Sequence, residues 1–230
     1  MKPLDVSANL TDRVYQAILD EILEGRLRAG EHLVQETLAK TLGVSRQPIQ
    51  QAMALLKSDG VVVEVGRRGL AVAPIDTNRM KHHYELRGVL DGHGARRAAH
   101  AVDAKPVLAR DLADRADAIF AATEVAIAEG SIAEIIRQDE AFHKTLYDIS
   151  GNSVLAEVAE PTWRFVRRAM AEFARRAKPP QDILAEHREI LAAVLAGDGD
   201  QADALSRAHT ASAADWLLGL AGETPSEDAA

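Results

Sequence analysis

No cysteine occurs among the 230 residues, which excludes a disulfide framework and any thiolate-bound metal. Aromatic residues amount to only 4%, and outside 61–72 valine and isoleucine never gather into alternating runs. A sheet-dominated fold is thereby set aside in favour of alanine-rich helices. No apolar run approaches the roughly 18 residues that cross a bilayer. The opening Met1-Lys2-Pro3-Leu4-Asp5 lacks the apolar core of a secretion signal, so a cytoplasmic location is expected. The length rules out a peptide hormone or a knottin and suits two modest domains or one large one. Positive charge is also short, with a formal net charge of -8. The shortage is local: residues 1–75 hold nine Lys/Arg and nine Asp/Glu, and the whole acidic excess lies in 76–230.

That asymmetry coincides with a change of pattern at Ala73-Pro74-Ile75-Asp76-Thr77, where a β-rich stretch stops at a proline. The expected organisation is a first domain at 1–75, a helical domain at 76–222 and a disordered acidic tail at 223–230. In the first domain, Thr11 or Asp12 is expected to cap a helix running to Gly25, with Val14, Ala17, Ile18 and Ile22 on one face. A short helix over Val34 to Thr41 follows, with Val34, Leu38 and Leu42 inward. After Leu42-Gly43-Val44, Ser45 caps a third helix whose stripe is Ile49, Ala52, Met53 and Leu56, with Pro48 in its first turn. Residues 61–65 and 70–72 read as two strands joined by Gly66-Arg67-Arg68-Gly69.

Three helices with a tight glycine turn between the second and third, then a hairpin, describe a winged helix-turn-helix. The polar face of the third helix offers Ser45, Arg46, Gln47, Gln50 and Gln51. Arg46 suits guanine and Gln50 adenine in the major groove, while Arg67 and Arg68 suit the DNA backbone or the minor groove. The plainer alternative is a solvated helix face and a basic turn on a protein-docking module.

Residues 10–72 resemble the N-terminal domain of GntR-family transcriptional regulators. The likeness rests on Ile22-Leu23-Glu24-Gly25, Ala29-Gly30-Glu31-His32-Leu33 and the run from Leu38 through Gly43-Val44-Ser45-Arg46-Gln47-Pro48-Ile49, ending at Gly69. It implies a dimeric repressor or activator on double-stranded operator DNA. Two departures stand out: Gln50-Gln51 replaces the usual Arg-Glu, and Glu36 stands where some members place a DNA-contacting arginine.

From 77 to about 220 the breakers Asp103-Ala104-Lys105-Pro106, Gly130, Gly151-Asn152, Pro179-Pro180 and Gly197-Asp198-Gly199 delimit six helices, so a mostly α, antiparallel bundle is expected. Polar residues interrupt its apolar stripes. Asp139 and His143 lie on the stripe Ile135, Ile136, Leu146; His187 interrupts Ile183, Leu184, Ile190 and Leu191; His209 falls with Leu205, Ser212 and Trp216. Singly, each reads as a hydrogen-bonded core residue. Together, three imidazoles and a carboxylate suit Zn²⁺ above all, with Ni²⁺ or Mn²⁺ also compatible, and leave open positions on an octahedral ion. Trp163 and Trp216 read as core packing, and His82, His83, His93 and His100 as surface or dimer contacts.

Residues 80–220 further resemble the C-terminal FCD domain of the FadR subfamily, six helices being closer to its VanR-type branch. The likeness lies in Asp139-Glu140-Ala141-Phe142-His143-Lys144-Thr145-Leu146, in Glu186-His187, in His209 and in Tyr84-Glu85-Leu86-Arg87. It implies a metal at Asp139, His143, His187 and His209, and a small organic or sugar acid as effector, completing the coordination and paired with Arg87. The competing role for Arg87 is an ion pair with Asp91 one turn on; Arg164, Arg167 and Arg168 are further cationic candidates. The leading expectation is therefore a homodimeric, effector-controlled DNA-binding regulator and not an enzyme. A metalloenzyme acting on a small organic acid, disfavoured because no further inward carboxylate or histidine suggests itself as a base, and a metal-sensing regulator remain as alternatives.

Overall fold

The computed structural model describes residues 8–66, 69–173 and 179–222. The tail from 223 and the wing arginines Arg67 and Arg68 lie outside those residues. Two compact units divide between Ile75 and Asp76.

The first unit comprises α1 (Ala8–Leu23), α2 (Gln35–Leu42), α3 (Arg46–Ser58), β1 (Val62–Val65) and β2 (Gly69–Val72). α1 begins earlier than its sequence suggests. Thr11 lies inside it, buried, and donates to Gln51 Oε1 at 2.7 Å instead of capping. Val14, Ile18 and Ile22 pack on Ile49, Ala52, Met53 and Leu56 as their spacing requires. The turn between α2 and α3 depends on Gly43 at φ +64°, a left-handed conformation that side chains resist. Gly43 and Val44 donate to the carbonyls of Lys40 and Ala39, closing α2 before Ser45 starts α3. Val34 is a correction: it stands at the N-cap of α2, 57% exposed, while Leu33 and Ala39 fill the core. The reason is an extra pairing. Gly30, Glu31 and Leu33 bond to Val72 and Leu70, so this segment lies beside β2, with one isolated antiparallel bridge between His32 and Ala71, and turns Leu33 inward. β1 and β2 pair antiparallel with Val62 opposite Val72 and Val65 opposite Gly69.

The second unit has six helices among the described residues: α4 (Thr77–Ala104), α5 (Pro106–Glu129), α6 (Ile132–Ile149), α7 (Leu155–Phe173), α8 (Pro180–Leu195) and α9 (Gly199–Gly222). Asp76 caps α4 by accepting from Arg79 N–H at 2.9 Å, and Pro106 opens α5, where its missing N–H costs nothing. The core joins Ala95, Ala98 and Ala99 of α4 to Leu112 and Phe120 of α5, Phe142 and Leu146 of α6 and Ile190 and Val194 of α8. Small residues let neighbours approach α4 closely. A Cβ at Gly94 would stand 2.8 Å from Tyr147 Cδ1, so that position must stay bare for the Tyr147 ring to seat.

Gly94→Ala should therefore destabilise the protein despite alanine's better helix propensity, which by itself would stabilise by about 1 kcal/mol. Overpacking of this kind costs about 1–3 kcal/mol, and thermal denaturation should show a lower Tm. A Tm raised by the substitution would mean that Tyr147 has room to move.

Candidate functional site

Four residues from three helices converge in the second unit. Asp139 and His143 sit one turn apart on α6, His187 on α8 and His209 on α9, none more than 6% exposed. Their donor atoms all lie within 4.8 Å of one another. Around one ion with bonds near 2.0–2.2 Å, donors stand about 3–4.4 Å apart, so a contraction of a few tenths of an ångström suffices.

Protonation favours binding as well. His209 Nδ1 lies 2.9 Å from Glu186 Oε2; a carboxylate only accepts, so Nδ1 donates to it and Nε2 is the ring nitrogen turned to the cluster. That Nε2 faces His187 Nε2 at 3.3 Å, which is itself 3.3 Å from Asp139 Oδ1. Neither ring nitrogen of His143 has a hydrogen-bond partner among the described residues; Nδ1 is 3.3 Å from Asp91 Oδ2 without the alignment of a bond. Burial, reinforced by Arg87 at His143 and by His209 and then Arg87 at His187, holds both histidines well below the ordinary histidine range and therefore neutral. Burial also pushes the Asp139 carboxyl up, against the pull of Arg87. An unpartnered imidazole at His143, with His187 and His209 beside the same carboxylate, is a donor set that fits a divalent cation.

Beneath the four lies a buried ion network. Arg87, 1% exposed, gives Nε to Asp91 at 2.9 Å and places Nη2 3.5 Å from Asp139 Oδ2. Its guanidinium lies 4.0 Å over the Trp163 ring. Asp91 also accepts from the Tyr147 hydroxyl and, at 3.2 Å, from Thr210 Oγ1. One cation thus faces two carboxylates, and a divalent ion would offset the remaining negative charge. Asp91 and Glu186 are the carboxylates beside the histidines that sequence reasoning did not nominate. Asp91 was legible only as the i+4 partner of Arg87; Glu186 precedes His187 in the chain yet serves His209 through tertiary contact.

Two cavities flank the cluster. One, of about 80 Å³, is lined by His209, Glu186 and Tyr84 together with apolar side chains including Ile135, Met170 and Trp216. A smaller one, of about 20 Å³, is lined by Asp139 and His187 and shares Ile135, Met170, Pro180 and Ile183 with the first. Arg87 lines neither. Arg164 and Arg167 pair with Glu160, Arg167 also with Glu140, and Arg168 is buried; none borders these cavities. Trp163 is core as expected, whereas Trp216 is 43% exposed on the cavity wall, a correction that follows from its place near the end of α9. His82, His93 and His100 are exposed, but His83 is half-buried and stacks on Phe165 at 4.4 Å.

In the first unit, Ser45, Arg46, Gln47 and Gln50 are all exposed along the start of α3, while Pro48 and Ile49 turn inward. Arg46 Nη2 lies 3.1 Å from Glu36 Oε2, both side chains more than half exposed. Such a pair contributes roughly 0–1 kcal/mol, so it biases Arg46 without locking it.

Comparison with known proteins places this geometry. Residues 82–212 match the FCD domain and residues 10–72 match "Bacterial regulatory proteins, gntR family". The chain is 28% identical over 178 residues to the HTH-type transcriptional regulator YdhC of Bacillus subtilis, covering 76% of each chain. It is 40% identical over 88 residues to an HTH-type transcriptional regulator of Mycobacterium tuberculosis, which is 38% of this chain. The match spans only about a third of that relative's length, 36%. The Escherichia coli protein McbR/YncC shares the fold, with a TM-score of 0.76 at 20% identity over 92% of this chain and 98% of that one. Among the described residues no helix is long and apolar enough to cross a membrane.

Two outcomes are expected. His187→Ala should lower the metal bound per chain, read by elemental analysis, and remove the rise in Tm that bound metal produces, about 4 kcal/mol at a thousandfold excess over Kd. Equal stoichiometry in both proteins would break the four-residue set. In metal-free protein the folded pKa values of His143 and His187 lie below the unfolded value of 6.5, so the unfolded chain takes up protons first. Their contribution is complete above that value and declines as pH falls, by at most about 1.4 kcal/mol per pH unit for each histidine. Asp139, raised by burial, acts in the opposite sense at lower pH. Denaturant titrations between about pH 7.5 and 5.5 read the slope, which should shrink in His187→Ala; a flat profile would contradict the assignment.

Proposed function

The chain belongs to the gntR family of bacterial regulatory proteins and carries an FCD domain, and from that premise we propose that it is a DNA-binding transcriptional regulator. It works as a homodimer whose operator affinity is set by a small carboxylate at the Asp139, His143, His187 and His209 centre. The observation that carries this reading is the junction of a buried three-histidine, one-aspartate cluster with a cavity, in a chain whose other unit exposes a helix-turn-helix reading face. Zn²⁺ is the preferred ion by donor chemistry, with Ni²⁺ or Mn²⁺ compatible.

The bound ion would supply the positive charge that attracts a carboxylate. The protein's own side chains do the remaining work. Glu186 fixes the His209 tautomer, Arg87 orients Asp139 from within the core, and Phe142, stacked 4.3 Å from His187, excludes water from one side of the cluster. Arg87 thereby supports the site through Asp139, in place of the direct effector contact that the family resemblance implies.

On DNA, the exposed start of α3 enters the major groove with Arg46 on guanine and Gln50 on adenine, and Ser45 and Gln47 on the backbone. Arg67 and Arg68 are assigned to the backbone or minor groove from their sequence alone. Two copies read a short palindrome, and effector binding alters half-site geometry. Catalysis is disfavoured: the matching relatives are transcriptional regulators, and Asp91 and Glu186, the carboxylates beside the histidines, are both engaged in hydrogen bonds.

Fluorescence anisotropy with the duplex upstream of the chain's own coding sequence, against a shuffled duplex, at two salt concentrations and with or without chelator, tests the proposal. Preference for the native duplex is expected. Equal, salt-sensitive binding to both would reduce it to charge-driven contact at that fragment. Arg46→Ala should cost about 1–3 kcal/mol and relax preference at one base pair. Glu36→Gln, by freeing Arg46 and removing a negative charge, should tighten binding to both duplexes; unchanged affinity would show that Glu36 has no hold on the contact.

A further inference from the structure

The cavity beside the histidines has an uneven wall. Ile135, Ile136, Met170, Ile183, Trp216 and Leu217 form most of it, and its polar side chains are Tyr84, Glu186 and His209. Glu186 already accepts from His209 Nδ1. Tyr84 is different. Its side chain is 3% exposed, yet among the described residues its hydroxyl has no hydrogen-bond partner of acceptable geometry. Arg87, whose guanidinium carbon is 5.8 Å from the Tyr84 ring centre, acts on it as a nearby charge and a poorly aligned donor, and a guanidinium cannot accept the hydroxyl hydrogen. A buried hydroxyl without a partner is destabilising, and such a group on a cavity wall is explained by a ligand that accepts from it. Burial also keeps it protonated, hence a donor.

We propose that this cavity takes a short, unsubstituted aliphatic monocarboxylate, anchored by Tyr84 Oη–H donating to one carboxylate oxygen while the alkyl chain lies against Ile135, Ile183 and Leu217. The inference rests on the effector reading above and narrows it, because it excludes sugar acids and hydroxy acids. Hydroxyls along their chains would be buried against isoleucine and methionine, away from the few polar groups of the wall, at a cost of roughly 1–3 kcal/mol each. Size agrees. About 80 Å³ corresponds to some five to eight water-sized positions at roughly 10–15 Å³ each, the room needed by an acid of about four to six carbons. Tyr84 is well placed on the chain: it shares an α4 face with Arg87 and Asp91, so one helix carries both the anchor and the cation that orients Asp139.

Isothermal titration of the metal-loaded, full-length protein with 3-methylbutanoate and with gluconate tests the assignment without DNA. The aliphatic acid is expected to bind at least tenfold more tightly. Gluconate binding as well or better would overturn the proposal, and so would the absence of binding by 3-methylbutanoate. Tyr84→Phe removes only the hydroxyl: affinity for 3-methylbutanoate should fall about tenfold, while metal per chain is kept and the Tm of the ligand-free protein holds or rises. A lower ligand-free Tm with unchanged acid affinity would make Tyr84 a structural residue and sink its anchoring role. The ranking of the two acids on wild-type protein needs no variant and decides the ligand class by itself. The same preparations, tested on the native duplex, separate the two readings. Acid binding without any change in operator affinity would remove effector control and leave the cavity assignment standing; metal uptake and duplex preference without acid binding would do the reverse.

Discussion

A buried guanidinium shared by two carboxylates is the constraint around which the helical unit is arranged. Arg87, Asp91 and Asp139 are all nearly inaccessible to water, and desolvating three charges is costly unless each is paired and hydrogen-bonded. The surrounding residues meet that demand. Asp91 is satisfied by Arg87, Tyr147 and Thr210, from three different helices, and the guanidinium face is covered by Trp163. Asp139 is the less satisfied member, and it is the one that faces the histidines. The proposed cation site coincides with the place where the network pairs two carboxylates with one guanidinium.

The same economy of placement explains why α4 matters more than any other helix in that unit. Tyr84, Arg87, Asp91 and Gly94 fall on its inward side, and they provide in turn a polar group on the cavity wall, the central cation, its main acceptor and the gap that admits the Tyr147 ring. An inward face carrying two charges and several small residues is a poor hydrophobic stripe. It holds because α6, α7 and α9 bring partners to Arg87 and Asp91 and because alanines further along the helix pack tightly into the core.

The DNA-reading unit works with little surplus charge. Its nine basic residues are balanced by nine acidic ones, and Glu36 stands against Arg46 on the reading face itself. Non-specific attraction to phosphates scales with the number of uncompensated cations, so in the proposed DNA complex the weight of recognition would fall on positioned hydrogen bonds, for which Arg46, Gln47 and Gln50 are the exposed candidates.

Local sequence determined everything that depends on periodicity and turn chemistry. The stripe of α3, the left-handed turn at Gly43, the two-stranded wing, six helices in the second unit and the inward phase of Asp139, His143, His187 and His209 are all written in residue spacing, because a side chain's direction along a helix follows from 3.6 residues per turn. Tertiary structure decided what depends on distant partners. Whether four inward residues on three helices meet at one point is a matter of packing, and so are the engagement of Glu186 with His209, the exposure of Val34 once residues 30–33 pair with β2, and the place of Trp216 on the cavity wall. Arg87 shows the division most clearly. Its spacing to Asp91 announced an ion pair, but only the approach of α6 brought Asp139 to the same guanidinium, since burial and partnership are properties of the assembled core and not of any one helix.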